Sequence, residues 1–158
     1  RVKVDWRDDC SAGFKFNEGE LKGGPLPLEI GPRDVAANQA IVVRRDTREK
    51  LAVGLDDLAG QVPELLDEIQ RDLFTSAKQM LASHTAEVDT FEQLAERAAS
   101  NAGWSLVHWC GDAACEARIK TETLATSRCI PFDQPEEAGV CIICGQPSVR
   151  RVIFARAY

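Results

Sequence analysis

Four cysteines stand in two tight pairs in the last third of the chain: Cys110 and Cys115 in CGDAAC, then Cys141 and Cys144 in CIIC, with 25 residues between the pairs. Two thiolates in a short turn can hold one tetrahedral ion, and a second turn completes the shell once the intervening chain folds back. A single C-x-x-C is weak evidence, but two such knuckles together point to zinc. The alternative use of the same cysteines is in disulfides. That requires an oxidising compartment, and the sequence carries no recognisable secretory signal, so reduced thiols are expected. Four protein thiolates leave no open coordination position, so the zinc would be structural. Cys10 and Cys129 fall outside the knuckle spacing and read as small buried hydrophobes.

With 158 residues, 44% hydrophobic and 28% charged, the chain has the composition of a globular protein of one domain or two small ones, and no apolar run approaches membrane-spanning length. It opens at Arg1 on RVKVDW, a strand-like alternation, and reads as an excised fragment. The net charge of -6 argues against general affinity for nucleic acid, which comes from Lys and Arg neutralising phosphates. Most of the excess acid falls in residues 60–109, however, where Glu64, Asp67, Glu68 and Asp72 alternate with an apolar stripe and read as a solvated helix face. A basic cluster at Arg44, Arg45, Arg48 and Lys50 is available to meet RNA locally.

Ser11 is a natural N-cap for a helix through FKFNEGELK, which Gly23, Gly24 and Pro25 stop. LPLEIG reads as a strand, GPRD as a turn, and QAIVVRRD and KLAV as two strands joined by a turn over Asp46 to Glu49. Val62, Leu65, Leu66, Ile69, Leu73, Ala77, Met80 and Leu81 recur at three and four, which predicts a long amphipathic helix to His84. Thr90 and Gln93 form a capping box for a second helix ended by Gly103. WSLVHW is a predicted strand, CEARIKTETLA a short helix and VIFARA a closing strand. Strands alternating with helices give an α/β class.

Catalytic groups are nearly lacking. His84 and His108 have no nucleophile at a recognisable spacing and read as structural. GELKGG has neither the glycine spacing nor the Lys-Ser/Thr ending of a phosphate-binding loop.

Taken in order, GFKFNEGELKGGPLPLEIGPRD, QAIVVRRDTREKL, CGDAAC with TLATSRCIPF, and GVCIICGQPS with a terminal ARAY resemble the C-terminal half of prolyl-tRNA synthetase, in its archaeal and eukaryotic-like form. The resemblance covers essentially the whole chain. It implies a mixed-sheet anticodon-binding domain, truncated at its start, over residues 1–84, and a small α+β zinc-binding domain over residues 85–158. It implies that the parent is a proline-tRNA ligase whose catalytic domain, with its ATP and magnesium, lies outside these residues, so that the chain alone does not aminoacylate. The implied partner is proline tRNA, the implied parent is a cytoplasmic homodimer assembled through the catalytic domain, and no role at membranes or DNA is implied. The other reading is a free-standing zinc-ribbon module that binds RNA or protein without enzymatic activity.

Proline anticodons end in two guanines, whose Watson-Crick edge offers two N–H donors to a carboxylate and whose carbonyl and N7 accept from Lys or Arg. Phe16 and Glu20 stand four apart on one helical face, and the GPRD turn supplies Arg33 and Asp34; the resemblance makes these four the guanine-reading set. On their own, Phe16 is equally a core side chain, Glu20 a solvated acid and Asp34 a turn cap. Two positions depart from the family pattern: Pro27 where an arginine is frequent, and Gly19 where a bulky residue is usual. The resemblance also directs the carboxylate of Tyr158 toward the catalytic domain, the alternative being an aromatic packed on the zinc domain.

Overall fold

The computed structural model describes residues 1–157; Tyr158, and with it any role for its carboxylate, lies outside the described residues. The chain divides into a first unit, Arg1–Ala77, and a second that begins at Lys78.

In the first unit, α1 (Ala12–Leu21) starts where Ser11 Oγ accepts the N–H of Phe14 at 3.3 Å. It stops at the glycines: the N–H of Gly23 reaches the carbonyl of Glu20 and that of Gly24 the carbonyl of Gly19, with Gly23 at φ +89. This is a Schellman closure, which satisfies carbonyls the helix itself leaves unpaired. A short β1 (Leu28–Glu29), a one-turn α2 (Pro32–Ala36), β2 (Gln39–Val43) and β3 (Lys50–Gly54) follow. The three strands form an antiparallel sheet in the order β1-β2-β3, with Ile41 paired to Glu29 on one side and to Ala52 on the other. Pro27 lacks a donor, but on the edge its carbonyl accepts the N–H of Val43 at 2.9 Å. The GPRD segment is therefore a helical turn rather than a simple reversal. Gly31 precedes it with extended backbone and Pro32 occupies the first position, where a missing N–H does no harm.

RVKVDW forms no strand. Val2 is 90% exposed and Trp6 86%, so the alternation finds no core to bury against and no sheet edge to pair with.

The long helix α3 (Leu58–Ser83) starts earlier than its apolar periodicity indicates. Its acidic face is not simply solvated. Arg44, only 4% exposed, carries its guanidinium among Asp46 at 2.7 Å, Glu68 at 2.8 Å and Asp72 at 2.6 Å, binding the helix to the end of β2. Glu64 and Asp67 stay exposed, as expected. The hydrogen bond from Arg44 holds the Asp46 carboxyl below its ordinary value despite the opposing effect of burial.

The second unit is a four-stranded mixed sheet in the order β4-β5-β9-β6, built from β4 (Thr85–Val88), β5 (Trp104–His108), β6 (Ala125–Cys129) and β9 (Arg151–Arg156). Helix α4 (Phe91–Ala99) crosses between the parallel pair β4 and β5, and α5 (Ala113–Thr123) links β5 to β6. A two-stranded ribbon, β7 (Gly139–Val140) with β8 (Pro147–Ser148), completes it. Val88, Leu94, Ala98, Val107, Ile119, Ala125, Val152 and Phe154 form the core, with Trp109 edge-on to Phe154 at 6.2 Å. Thr90 caps α4 by accepting from Gln93, while the Gln93 side chain returns to the N–H of Asp89 rather than to Thr90 itself. The helix ends at Ala99, before Gly103. Gly103, at φ +99, starts β5 so close to His84 that a Cβ would overlap its carbonyl. Strands β4 and β6 were not legible in sequence: TAEV is short, and ATSRC is too polar to stand out from the helix before it.

Two substitutions separate glycine in a helix from glycine in a forced turn. Gly19 sits in α1 with open space where a Cβ would go, so Gly19→Ala is expected to stabilise the chain by about 0.5–1 kcal/mol in urea denaturation. Gly103→Ala is expected to destabilise it by more than that, because it meets both a positive φ and the His84 carbonyl. The Arg44 network carries a pH signature. Asp46 titrates below its ordinary 3.8, so its contribution is present at neutral pH and is lost as pH falls through the folded value. Urea midpoints of the unaltered chain and of Asp46→Asn should converge below about pH 4 and separate above it.

Candidate metal centre and helix-side cleft

The thiol cluster is assembled by the second unit. Cys110 leaves the end of β5, Gly111 at φ +86 turns the chain, and Asp112 caps α5 by accepting the N–H of Ala114 at 2.6 Å. That cap places Cys115 in the first turn of α5, facing back to Cys110. Cys141 follows β7, with its N–H on the carbonyl of Gln146 at 2.8 Å and its own carbonyl taking the N–H of Gly145. Cys144 closes this second turn.

All four Sγ atoms lie within 4.8 Å of one another. Cys110 and Cys115 are 3.8 Å apart, and Cys144 and Cys110 are 3.6 Å apart. A tetrahedral ion with metal–sulfur bonds of about 2.3 Å requires sulfur–sulfur edges of about 3.8 Å, so the donor set fits. Electrostatics point the same way. Burial pushes the Cys115 thiol well up, and the crowded sulfurs add to it. At Cys110 the N–H of Asp112 pulls down but is outweighed by burial and by Cys144 and Cys141. Cys141 comes down to about 7, because the backbone N–H groups of Cys144, Ile143 and Cys110 together exceed its burial penalty. A buried anion is costly and four adjacent thiolates repel, so full ionisation here requires a cation. With four sulfur donors there is no position left for a substrate.

Cys10 and Cys129 stand outside the cluster, as their spacing indicated, but neither is the buried hydrophobe expected: Cys10 is half-buried and Cys129 is exposed at the end of β6. His84 is exposed and sits on the carbonyl of Met80 at 2.8 Å, a helix-end contact. His108 is buried against Ser148 and Glu137.

The first unit holds a cleft of about 220 Å³ lined by Phe16, Glu20, Pro27, Glu29, Val43, Arg48 and Lys50. Phe16 and Glu20, one turn apart on α1, meet there as their spacing indicated. Arg33 and Asp34 do not line it. Arg33 is exposed on α2, and the Asp34 carboxylate accepts from the N–H of Gly31 at 2.9 Å and the Gln39 amide at 3.4 Å, an α2 cap. Of the basic cluster, Arg44 is committed to its ion pairs, while Arg48 and Lys50 reach the cleft. Arg48 pairs with Glu20, and Lys50 lies 3.2 Å from Glu29. The RRDTREK run was the sequence signal for these two cations; Glu29 had none, since only the pairing of β1 with β2 carries it there. A half-buried ring beside paired carboxylates and cations can stack a base and bond its edge.

Residues 1–65 match the family model of an anticodon-binding domain, which places the cleft in a domain of the class that reads tRNA. Residues 91–158 match the model described as prolyl-tRNA synthetase, C-terminal. The chain belongs to the prolyl-tRNA synthetase family, of which it is a C-terminal portion. Over the whole of this chain it is 46% identical to a proline-tRNA ligase of Lachnospira eligens, 47% to one of Symbiobacterium thermophilum and 44% to one of Clostridium novyi. It spans about a third of the length of these curated relatives, 33%, 34% and 33% respectively.

If the four sulfurs act as one site, replacing any one of them leaves an incomplete shell. Cys115→Ala is expected to lower metal content, read by mass spectrometry under native conditions, and to destabilise the second unit. Cys129→Ala, outside the cluster, should leave metal content unchanged.

Proposed function

We propose that this chain is the tRNA-handling portion of a proline-tRNA ligase, a parent that uses ATP and magnesium outside these residues to attach proline to its tRNA. Residues 1–84 dock the anticodon, and residues 85–158 form a zinc-bearing domain. The observation that carries the reading is the cleft in which Phe16 and Glu20 converge inside the segment matching an anticodon-binding domain.

In this reading Phe16 stacks an anticodon guanine and Glu20 accepts its two Watson-Crick N–H groups, with Arg33 and Asp34 on α2 as the second donor and acceptor pair. Arg48 holds Glu20 in the free protein, so guanine must displace or share that guanidinium. Cys110, Cys115, Cys141 and Cys144 hold a structural zinc, which when bound neutralises the crowded thiolates and ties β5 and α5 to the turn after β7. Their sulfur spacing supports that ion. The parent is a cytoplasmic homodimer joined through its catalytic portion. A free-standing zinc-ribbon module is the weaker reading, because similarity to synthetases extends over the whole chain.

The test compares proline tRNA with a transcript whose two anticodon guanines are changed, by fluorescence anisotropy. The changed transcript is expected to bind at least tenfold more weakly, a loss consistent with about 1–3 kcal/mol per stacked or edge-bonded base. Phe16→Ala and Glu20→Gln should weaken binding of proline tRNA but add little to the loss for the changed transcript. Affinity should fall with salt by about 0.7 log unit per log unit for each single-strand phosphate contacted. Equal affinity for the two transcripts would remove the anticodon role and leave the zinc domain alone.

A further inference from the structure

The second cysteine knuckle lies on a stretch, residues 134–150, with little regular structure of its own, yet its position is closely specified. Arg151, at the start of the central strand β9, is 6% exposed and has nearly all its donors engaged. Its Nε lies 3.0 and 3.2 Å from the two carboxylate oxygens of Glu137, and its Nη2 lies 3.1 Å from Glu137 Oε1 and 2.8 Å from Asp89 Oδ1. Its Nη1 donates to the carbonyls of Val88 at 3.2 Å and Leu106 at 3.3 Å. A planar fork used this completely fixes Glu137 to the sheet.

His108 supplies the second anchor. It pairs with Arg151 across β5 and β9, and its imidazole lies 3.4 Å from Glu137 and 3.3 Å from Ser148 Oγ. Gly139 packs directly on the imidazole face, where any Cβ would overlap the ring. The His108 carbonyl accepts the N–H of Ile142 at 3.2 Å. One residue thus holds the chain on both sides of Cys141, and Cys110 lies two residues after His108, just past the end of β5.

We infer that Arg151, Glu137 and His108 are positioning residues for the metal centre: they set the second knuckle at the distance from the first that four-sulfur coordination of a divalent metal needs. None of the three is among the four sulfur donors. The main physical support is that, although Glu137 donates its N–H to Val149 and Gly139 pairs with Ser148 within the ribbon, the polar contacts from Glu137 and Gly139 to the sheet converge from a buried cation and a buried ring. Outer partners of this kind typically change metal affinity by about 10–100-fold when removed. The inference rests on the proposed zinc site and extends it to residues with no ligand role.

The experiment titrates the full chain with zinc against a chromophoric chelator and, separately, with cobalt(II), whose visible absorption reports tetrahedral sulfur coordination. Glu137→Gln removes the carboxylate charge while leaving Arg151 its pair with Asp89. Gly139→Ala displaces the imidazole contact while keeping every charge. Both are expected to weaken zinc binding by about 10–100-fold and to reduce or shift the cobalt band at saturation, a change that loss of folding stability alone does not produce. Glu136→Gln, on the neighbouring exposed carboxylate, serves as the control and should match the unaltered chain. Zinc affinities within about twofold of the unaltered chain for both variants, with an unchanged cobalt spectrum, overturn the inference while leaving the zinc reading intact. An unaltered chain that binds neither metal overturns both.

Discussion

The second unit depends on the crowding of four thiols within 4.8 Å at one end of a mixed sheet. Three separate pieces of backbone supply them: the end of β5, the first turn of α5 and the turn after β7. Burial raises two of the thiols, so bringing them together carries an electrostatic cost, although Ile142 and Ile143 pack the second knuckle against the core. A divalent cation held by the four sulfurs would offset that cost and join the three segments. Around this junction the Asp112 side chain caps the helix that carries Cys115, and the Arg151 fork holds Glu137.

The first unit is organised by ion pairs rather than by metal. Arg44 joins the β2–β3 hairpin to α3 through three carboxylates, while Arg48 and Lys50 close over the cleft by pairing with Glu20 and Glu29. The two sets differ in exposure, and that difference separates their roles. Arg44 is buried, so removing a partner leaves a desolvated charge. The Arg48 side chain is 67% exposed, so its pair with Glu20 is weak. Three neighbouring cations of one basic run therefore divide between a buried network and the rim of the cleft, a division that composition cannot express.

Legibility followed how local each cause was. The α1 cap at Ser11, its glycine stop, the QAIVV/KLAV hairpin and the strand WSLVH depend on residues within a few positions of one another and appear as read, while the Thr90 box forms only its Thr90 half. RVKVDW carries a good local pattern and forms nothing, because a strand exists only with a neighbouring edge. Strands β4 and β6 carry poor local patterns and form anyway, because β5 and β9 offer edges to them. The exposed Cys129 and the buried Arg44 reverse their residue types' usual habits for the same reason: burial is set by what packs opposite.

The sequence alone determined the identity of the donors and the family, since two cysteine knuckles at fixed spacing and the blocks around them need no coordinates to recognise. It also placed Phe16 one turn from Glu20, which helix geometry guarantees. Only the tertiary structure decided that Asp34 caps α2 while Glu20 faces a cleft with Arg48. It alone brought Arg151 and His108 beneath a knuckle separated from His108 by more than thirty residues of chain. Hydrogen-bond partners across a sheet are chosen by register and pairing, and those follow from how the whole chain packs rather than from the residues beside each site.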